Sequence, residues 1–195
     1  MIQARALGWA HPDAPSRPVF SGLGFTLRPG LTLVRGGEGR GKTTLLRLLA
    51  GELQPSTGTL VRPAGRVCLP QPSDQACDAQ VARDWLAAQL AGVDLRQAAP
   101  LIDAFGLAPH IDKPMFMLST GSRRKVGLVA AALAGAPLTL LDQPYAALDA
   151  RSCRIVSELL AEAAESRERC WVVADHERPS WLEGVALAGL VDLGD

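Results

Sequence analysis

The chain has 195 residues, 48% of them hydrophobic and 21% charged, which is enough apolar mass for one packed domain and too much for global disorder. Twenty basic residues balance twenty acidic ones. That balance argues against a protein held on nucleic acid or on an anionic membrane by excess positive charge.

Apolar and β-branched runs predict strands at 2–8, 19–27 and 31–35, with the turn HPDAPSRP between the first two. A glycine loop follows, and TTLLRLLAGEL then reads as a helix with Leu45, Leu46, Leu48 and Leu49 on its apolar face. Strands are expected again at 58–62 and 66–69. From Gln80 the texture turns helical, in VARDWLAAQLAG and QAAPLIDAFGL. A helix over 122–134 leads into LTLL, whose unbroken apolar character belongs to a strand buried on both faces of a parallel sheet. An amphipathic helix at 150–165, the buried strand CWVVAD and a last strand at 187–193 complete the order. Strands alternating with helices predict an α/β fold with a mostly parallel sheet. The strand-rich start and the helical block from about 72 to 117 add an antiparallel N-terminal part and an inserted helical lobe.

Cys68, Cys77, Cys153 and Cys170 form no CxxC pair and have no histidine at zinc-ligand spacing, so free thiols are expected. MIQARALGWA lacks the charged start and apolar run of a secretory leader. The apolar region 126–141 is interrupted by Gly127, Gly135 and Pro137 and is too short to span a bilayer. A cytoplasmic protein is the expectation.

The strongest chemical signal is GGEGRGKT, Gly36 to Thr43, which fits G-x-x-x-x-G-K-[ST] between a strand and a helix. Gly36, Gly37, Glu38, Gly39, Arg40 and Gly41 form a loop whose backbone N–H groups turn toward phosphates without Cβ clashes. Lys42 adds a positive charge, the hydroxyl of Thr43 is placed for Mg²⁺, and Thr44 continues the helix N-terminus that favours the same anion. Asp142, closing the LTLL strand, is the natural partner for that cation.

Further motifs follow in order. LSTGS, Leu118 to Ser122, resembles the LSGGQ signature of the ATP-binding cassette (ABC) family, and ALD, Ala147 to Asp149, resembles its D-loop. Gln71 in CLPQP falls at the Q-loop position and His176 after CWVVAD at the switch-histidine position. The resemblance runs from about residue 2 to 193. It implies a P-loop NTPase core that binds ATP and Mg²⁺, with Gln71 joining Thr43 and Asp142 around the metal. It also implies that Lys42 and His176 act on the γ-phosphate. Ser119, Gly121 and Asp149 then serve a nucleotide held by an opposite subunit, so a second cassette is required, most simply a homodimer. Two readings stand for Trp9: an aromatic stacked on adenine, or edge-strand packing. The stretches VFSGLGFTLRPG and KTTLLRLLAGEL look like the small cassette subunit of the cytochrome c maturation haem exporter. That likeness implies integral membrane permease partners, no nucleic acid, and a place on the cytoplasmic face of the inner membrane.

Three positions depart from the family pattern. Thr120 replaces a glycine of the signature and Ser122 its glutamine, which weakens the expected contact in trans. Gln143 replaces the carboxylate that polarises the attacking water. General-base assistance is worth roughly 10² to 10⁴-fold, so ATP binding with slow hydrolysis is expected. A regulatory, non-catalytic cassette and a soluble ABC ATPase acting on nucleic acid or ribosomes remain as other readings.

Overall fold

The computed structural model describes residues 2–62 and 64–194. The chain folds as two compact units, each assembled from segments distant in sequence. One comprises Met1–Leu69, Ala136–Gln143 and Leu160–Asp195, and the other Pro70–Gly135 and Pro144–Leu159.

The first unit holds two sheets. Strands β1 (Ile2–Ala10), β2 (Pro18–Leu27) and β4 (Thr57–Val61) form an antiparallel sheet in the order β2-β1-β4. The second sheet contains β3 (Gly30–Arg35), β5 (Val67–Cys68), β6 (Leu138–Asp142), β7 (Cys170–Asp175) and β8 (Gly189–Asp192), ordered β5-β6-β7-β3-β8 with every pair parallel. Its central strands are buried on both faces, which is why LTLL and CWVVA carry no polar alternation. Helix α1 (Lys42–Ala50) packs on β6 and β7 and buries Leu45, Leu46, Leu48 and Leu49 completely. Those leucines share one core with Ile2, Leu7 and Phe20 of the antiparallel sheet and with Val34, Leu140 and Val172. The core therefore holds the leucine face of α1 against the sheet.

The register places the ends of β3, β6 and β7 side by side. Arg35 pairs with Asp175, and Asp142 with Ala174. The residues that follow each strand thus emerge together at the carboxyl edge of the sheet, where open α/β sheets receive ligands. The backbone ties them further, with Gln143 N–H donating to Ala174 O at 2.8 Å and Gly36 N–H to His176 O at 3.3 Å.

The second unit is helical. Helices α2 (Ala82–Gln89), α3 (Ala99–Ala104) and α4 (Thr120–Leu133) pack around Trp85, Leu86, Phe105, Leu107, Ile111 and Val126. The expected QAAPLIDAFGL helix is divided, a 3-10 turn over Leu95–Ala98 giving way to α3. Asp94 explains the tight start, since its carboxylate accepts from Arg96 N–H at 2.9 Å. Pro100 then sits in the first turn of α3, where its missing N–H does no harm. Helix α5 (Ala150–Ala164) follows the D-loop-like stretch. All four cysteines are free thiols, and burial pushes the Cys68 thiol up to about 11.

Candidate functional site

A pocket of about 480 Å³ opens in the first unit, lined by Val19, Glu38, Gly39, Gly41, Lys42, Thr43, Thr44, Gln143 and His176. The loop reaches it by two left-handed glycines, Gly39 at φ 74° and Gly41 at φ 87°. At Gly41 a Cβ would strike Val19 and Phe20, so only glycine lets the loop lie against β2. Gly36 and Gly37 anchor its other end, Gly37 N–H donating to Gly194 O at 2.9 Å. Glu38, Gly39 and Arg40 form its exposed tip.

Lys42 is buried, and its ammonium donates to Gly36 O at 2.6 Å and Gly37 O at 2.7 Å. A buried cation held by carbonyl oxygens is a receptor for an anion, because backbone carbonyls do not neutralise its charge. At the first turn of α1 the free N–H groups and the helix dipole point the same way. The combination suits a polyphosphate.

Thr43 Oγ1 donates to Asp142 Oδ2 at 2.5 Å, which brings two hard oxygen ligands together at the pocket. Mg²⁺ is ordinarily held by one or two protein oxygens plus substrate phosphates, so this pair fits it. Among the described residues no three His, Cys, Asp or Glu side chains gather as a metal site, and a protein-enclosed ion such as structural zinc does not fit. Replacing Asp142 by Asn should raise the Mg²⁺ concentration needed for half-maximal ATP binding by about tenfold, the worth of one charge-assisted contact; a magnesium titration monitored by nucleotide fluorescence measures it.

Gln143 takes a left-handed backbone conformation, φ 45°, and its Nε2 lies 3.1 Å from His176 Nε2. The side chain that stands at the expected base position is thus engaged with the imidazole. Trp9 lies on β1, half-buried against the core, with its ring edge-on to His11 at 6.0 Å. The hydrophobic side chain lining the pocket is Val19, which nothing in the sequence marks apart from other strand residues.

The remaining candidates lie in the second unit. Gln71 sits three residues beyond β5, its carbonyl accepting from Asp74 N–H at 3.2 Å. Ser119 caps α4, its hydroxyl accepting from Ser122 N–H at 3.1 Å and donating to Ser122 Oγ at 3.0 Å. A Cβ at Gly121 would collide with Ala147 O, so the signature-like turn and the ALD stretch touch through bare backbone. Ala147 itself is left-handed, φ 60°.

Asp149 accepts from Lys125 Nζ at 2.6 Å, from Ser152 N–H at 2.9 Å and from Ser152 Oγ at 3.0 Å. The Lys125 ammonium, then the Ser152 amide, hold its carboxyl well below the usual carboxylate range. Its folded pKa is depressed, so its contribution to stability is complete above roughly pH 5 and is lost as acid titrates the folded carboxylate. Asp149→Ala should cost about 0.5–2 kcal/mol as a lost cap. Urea unfolding at neutral pH checks this, and the difference from wild type should shrink in acid. Lys125 and Ser152 are site-neighbouring residues that sequence reasoning does not assign; the D-x-x-S spacing of a capped helix is the available signal for Ser152.

Residues 20–146 match the ABC transporter family. The cytochrome c biogenesis ATP-binding export protein CcmA of Alkalilimnicola ehrlichii is 36% identical, with 92% of this chain and 86% of that protein covered. The protein of the same name from Hyphomonas neptunium is 35% identical, with 74% and 76% covered. An ABC transporter ATP-binding protein from Pyrococcus furiosus superposes with a TM-score of 0.75 at 19% identity, covering 98% of this chain and 96% of its own, a likeness of fold. With a phosphate loop, a buried lysine and a Thr–Asp oxygen pair converging at the carboxyl edge of a parallel sheet, the chain belongs to the ABC transporter family of ATP-binding proteins.

Proposed function

We propose that the chain is the ATP-binding subunit of a membrane exporter serving cytochrome c biogenesis, that it binds MgATP between two cassettes, and that it hydrolyses ATP slowly. The observation that carries the reading is the meeting of Lys42 and Thr43 at one pocket, with Asp142 hydrogen-bonded to Thr43. When bound, Mg²⁺ supplies charge neutralisation for the phosphates. Thr43 and Asp142 would hold it, and Gln71 is the third candidate. Lys42 and the loop amides bind and orient the triphosphate, and His176 is positioned by Gln143 at the pocket wall. Positioning and charge stabilisation account for most phosphoryl-transfer catalysis, so these groups support turnover without a carboxylate at position 143.

A chain that carries one phosphate loop and one signature-like stretch supports a paired arrangement, in which Ser119, Gly121 and Asp149 of one copy complete the nucleotide site of another. The names of the CcmA relatives support export in cytochrome c biogenesis. Among the described residues no helix is long and apolar enough to cross a membrane. In this reading the translocation path belongs to separate integral membrane subunits and the chain sits on their cytoplasmic side. Gln143 favours a second reading, a regulatory cassette whose bound ATP sets conformation without turnover. Purifying the tagged chain from solubilised membranes tests the main reading. Recovery of a multi-span partner and ATP hydrolysis by the complex support it; recovery of ribosomes or nucleic acid, or of a complex that binds ATP and never hydrolyses it, contradicts it.

A further inference from the structure

The phosphate pocket contains a carboxylate that nothing above uses. Among its nine lining residues Glu38 is the single acid. It sits at the exposed tip of the phosphate loop, and among the described residues it forms no hydrogen bond or ion pair. A free carboxylate facing a bound polyphosphate repels it, and no cation among the described residues is paired with Glu38 to offset that repulsion. The end of β6, meanwhile, offers an amide in place of a base, and that amide lies 3.1 Å from the imidazole of His176. The pocket thus holds a carboxylate on the phosphate loop and, at the strand end, an amide beside the imidazole of His176.

We propose that Glu38 is the general base of this ATPase, taking the proton from the attacking water. The proposal rests on the reading of the chain as a hydrolysing cassette. In the step, the water oxygen bonds to the γ-phosphorus as the bond from that phosphorus to the β–γ bridging oxygen breaks. The bonding electron pair departs with ADP. One water proton passes to the Glu38 carboxylate and then to solvent, leaving ADP and inorganic phosphate. An exposed loop side chain must be immobilised before it can act, so Glu38 works less well than a carboxylate pinned at a strand end. Slow turnover follows from that placement.

The test compares wild type, Glu38→Gln, Gln143→Glu and the double variant, each as the complex purified from membranes, with MgATP binding and ATP turnover measured separately. Glu38→Gln should lower turnover at least about tenfold while MgATP binding holds or tightens, because a repulsive charge has gone. Gln143→Glu should restore turnover in the Glu38→Gln background by supplying a base from the strand end. Turnover of Glu38→Gln equal to or above wild type overturns the proposal and leaves Glu38 as a repulsive group only. A wild type that binds MgATP and never hydrolyses it also overturns the proposal while leaving the binding cassette intact. A wild type that does not bind MgATP overturns the ATPase reading and this proposal together.

Discussion

Gln143→Glu should raise the ATP turnover number by about 10²-fold, the lower end of what general-base assistance supplies. The backbone of Gln143 is fixed at the end of β6 by its N–H bond to Ala174 O, 2.8 Å, so a glutamate there occupies the same space. Its carboxylate keeps the neighbour His176 and adds a proton acceptor at the pocket wall. The gain falls short of the full range because positioning and charge stabilisation, not the base, carry most phosphoryl-transfer catalysis. MgATP affinity should change little, since the substitution acts on the transition state. Steady-state phosphate release from the membrane complex measures this, and a turnover number unaffected by the substitution would show that position 143 does not limit the rate.

Lys42→Ala should be more damaging, lowering turnover by about 10³-fold, at the upper end of what one preorganised charge contributes. The ammonium is buried and bonded to Gly36 O and Gly37 O, so its loss removes both the charge that meets the phosphates and two ties that shape the loop. Lys42→Arg should not rescue fully, because a planar guanidinium does not replace a compact ammonium between two carbonyls. Nucleotide affinity and turnover should fall together, unlike the selective rate effect expected at Gln143. Circular dichroism of the variant should match wild type, since the leucine face of α1 is untouched.

The core of the site is legible in the sequence because its chemistry is contiguous. Eight residues from Gly36 to Thr43 carry the loop, the charge and a candidate metal ligand, and the apolar runs before Asp142 and after Arg169 mark buried parallel strands. The α/β class and the element order follow from the same periodicity. What escapes depends on chain folding across long separations. Gln143 meets His176 across 33 residues and Lys125 meets Asp149 across 24, and nothing local predicts either pair. Val19 lines the pocket because β2 runs under Gly41, a packing fact with no sequence mark. Apolar spacing around Pro100 suggests one continuous helix, but local capping by Asp94 prevails there and tightens the backbone to a 3-10 turn.

Equilibrium binding of MgATP to the wild-type chain and to Lys42→Ala, by dialysis with radiolabelled nucleotide, tests the central claim most directly. A saturable site in the wild type that requires Mg²⁺ and weakens at least about tenfold on loss of the lysine charge is the predicted result. Absence of saturable binding, or equal binding by Lys42→Ala, would contradict it.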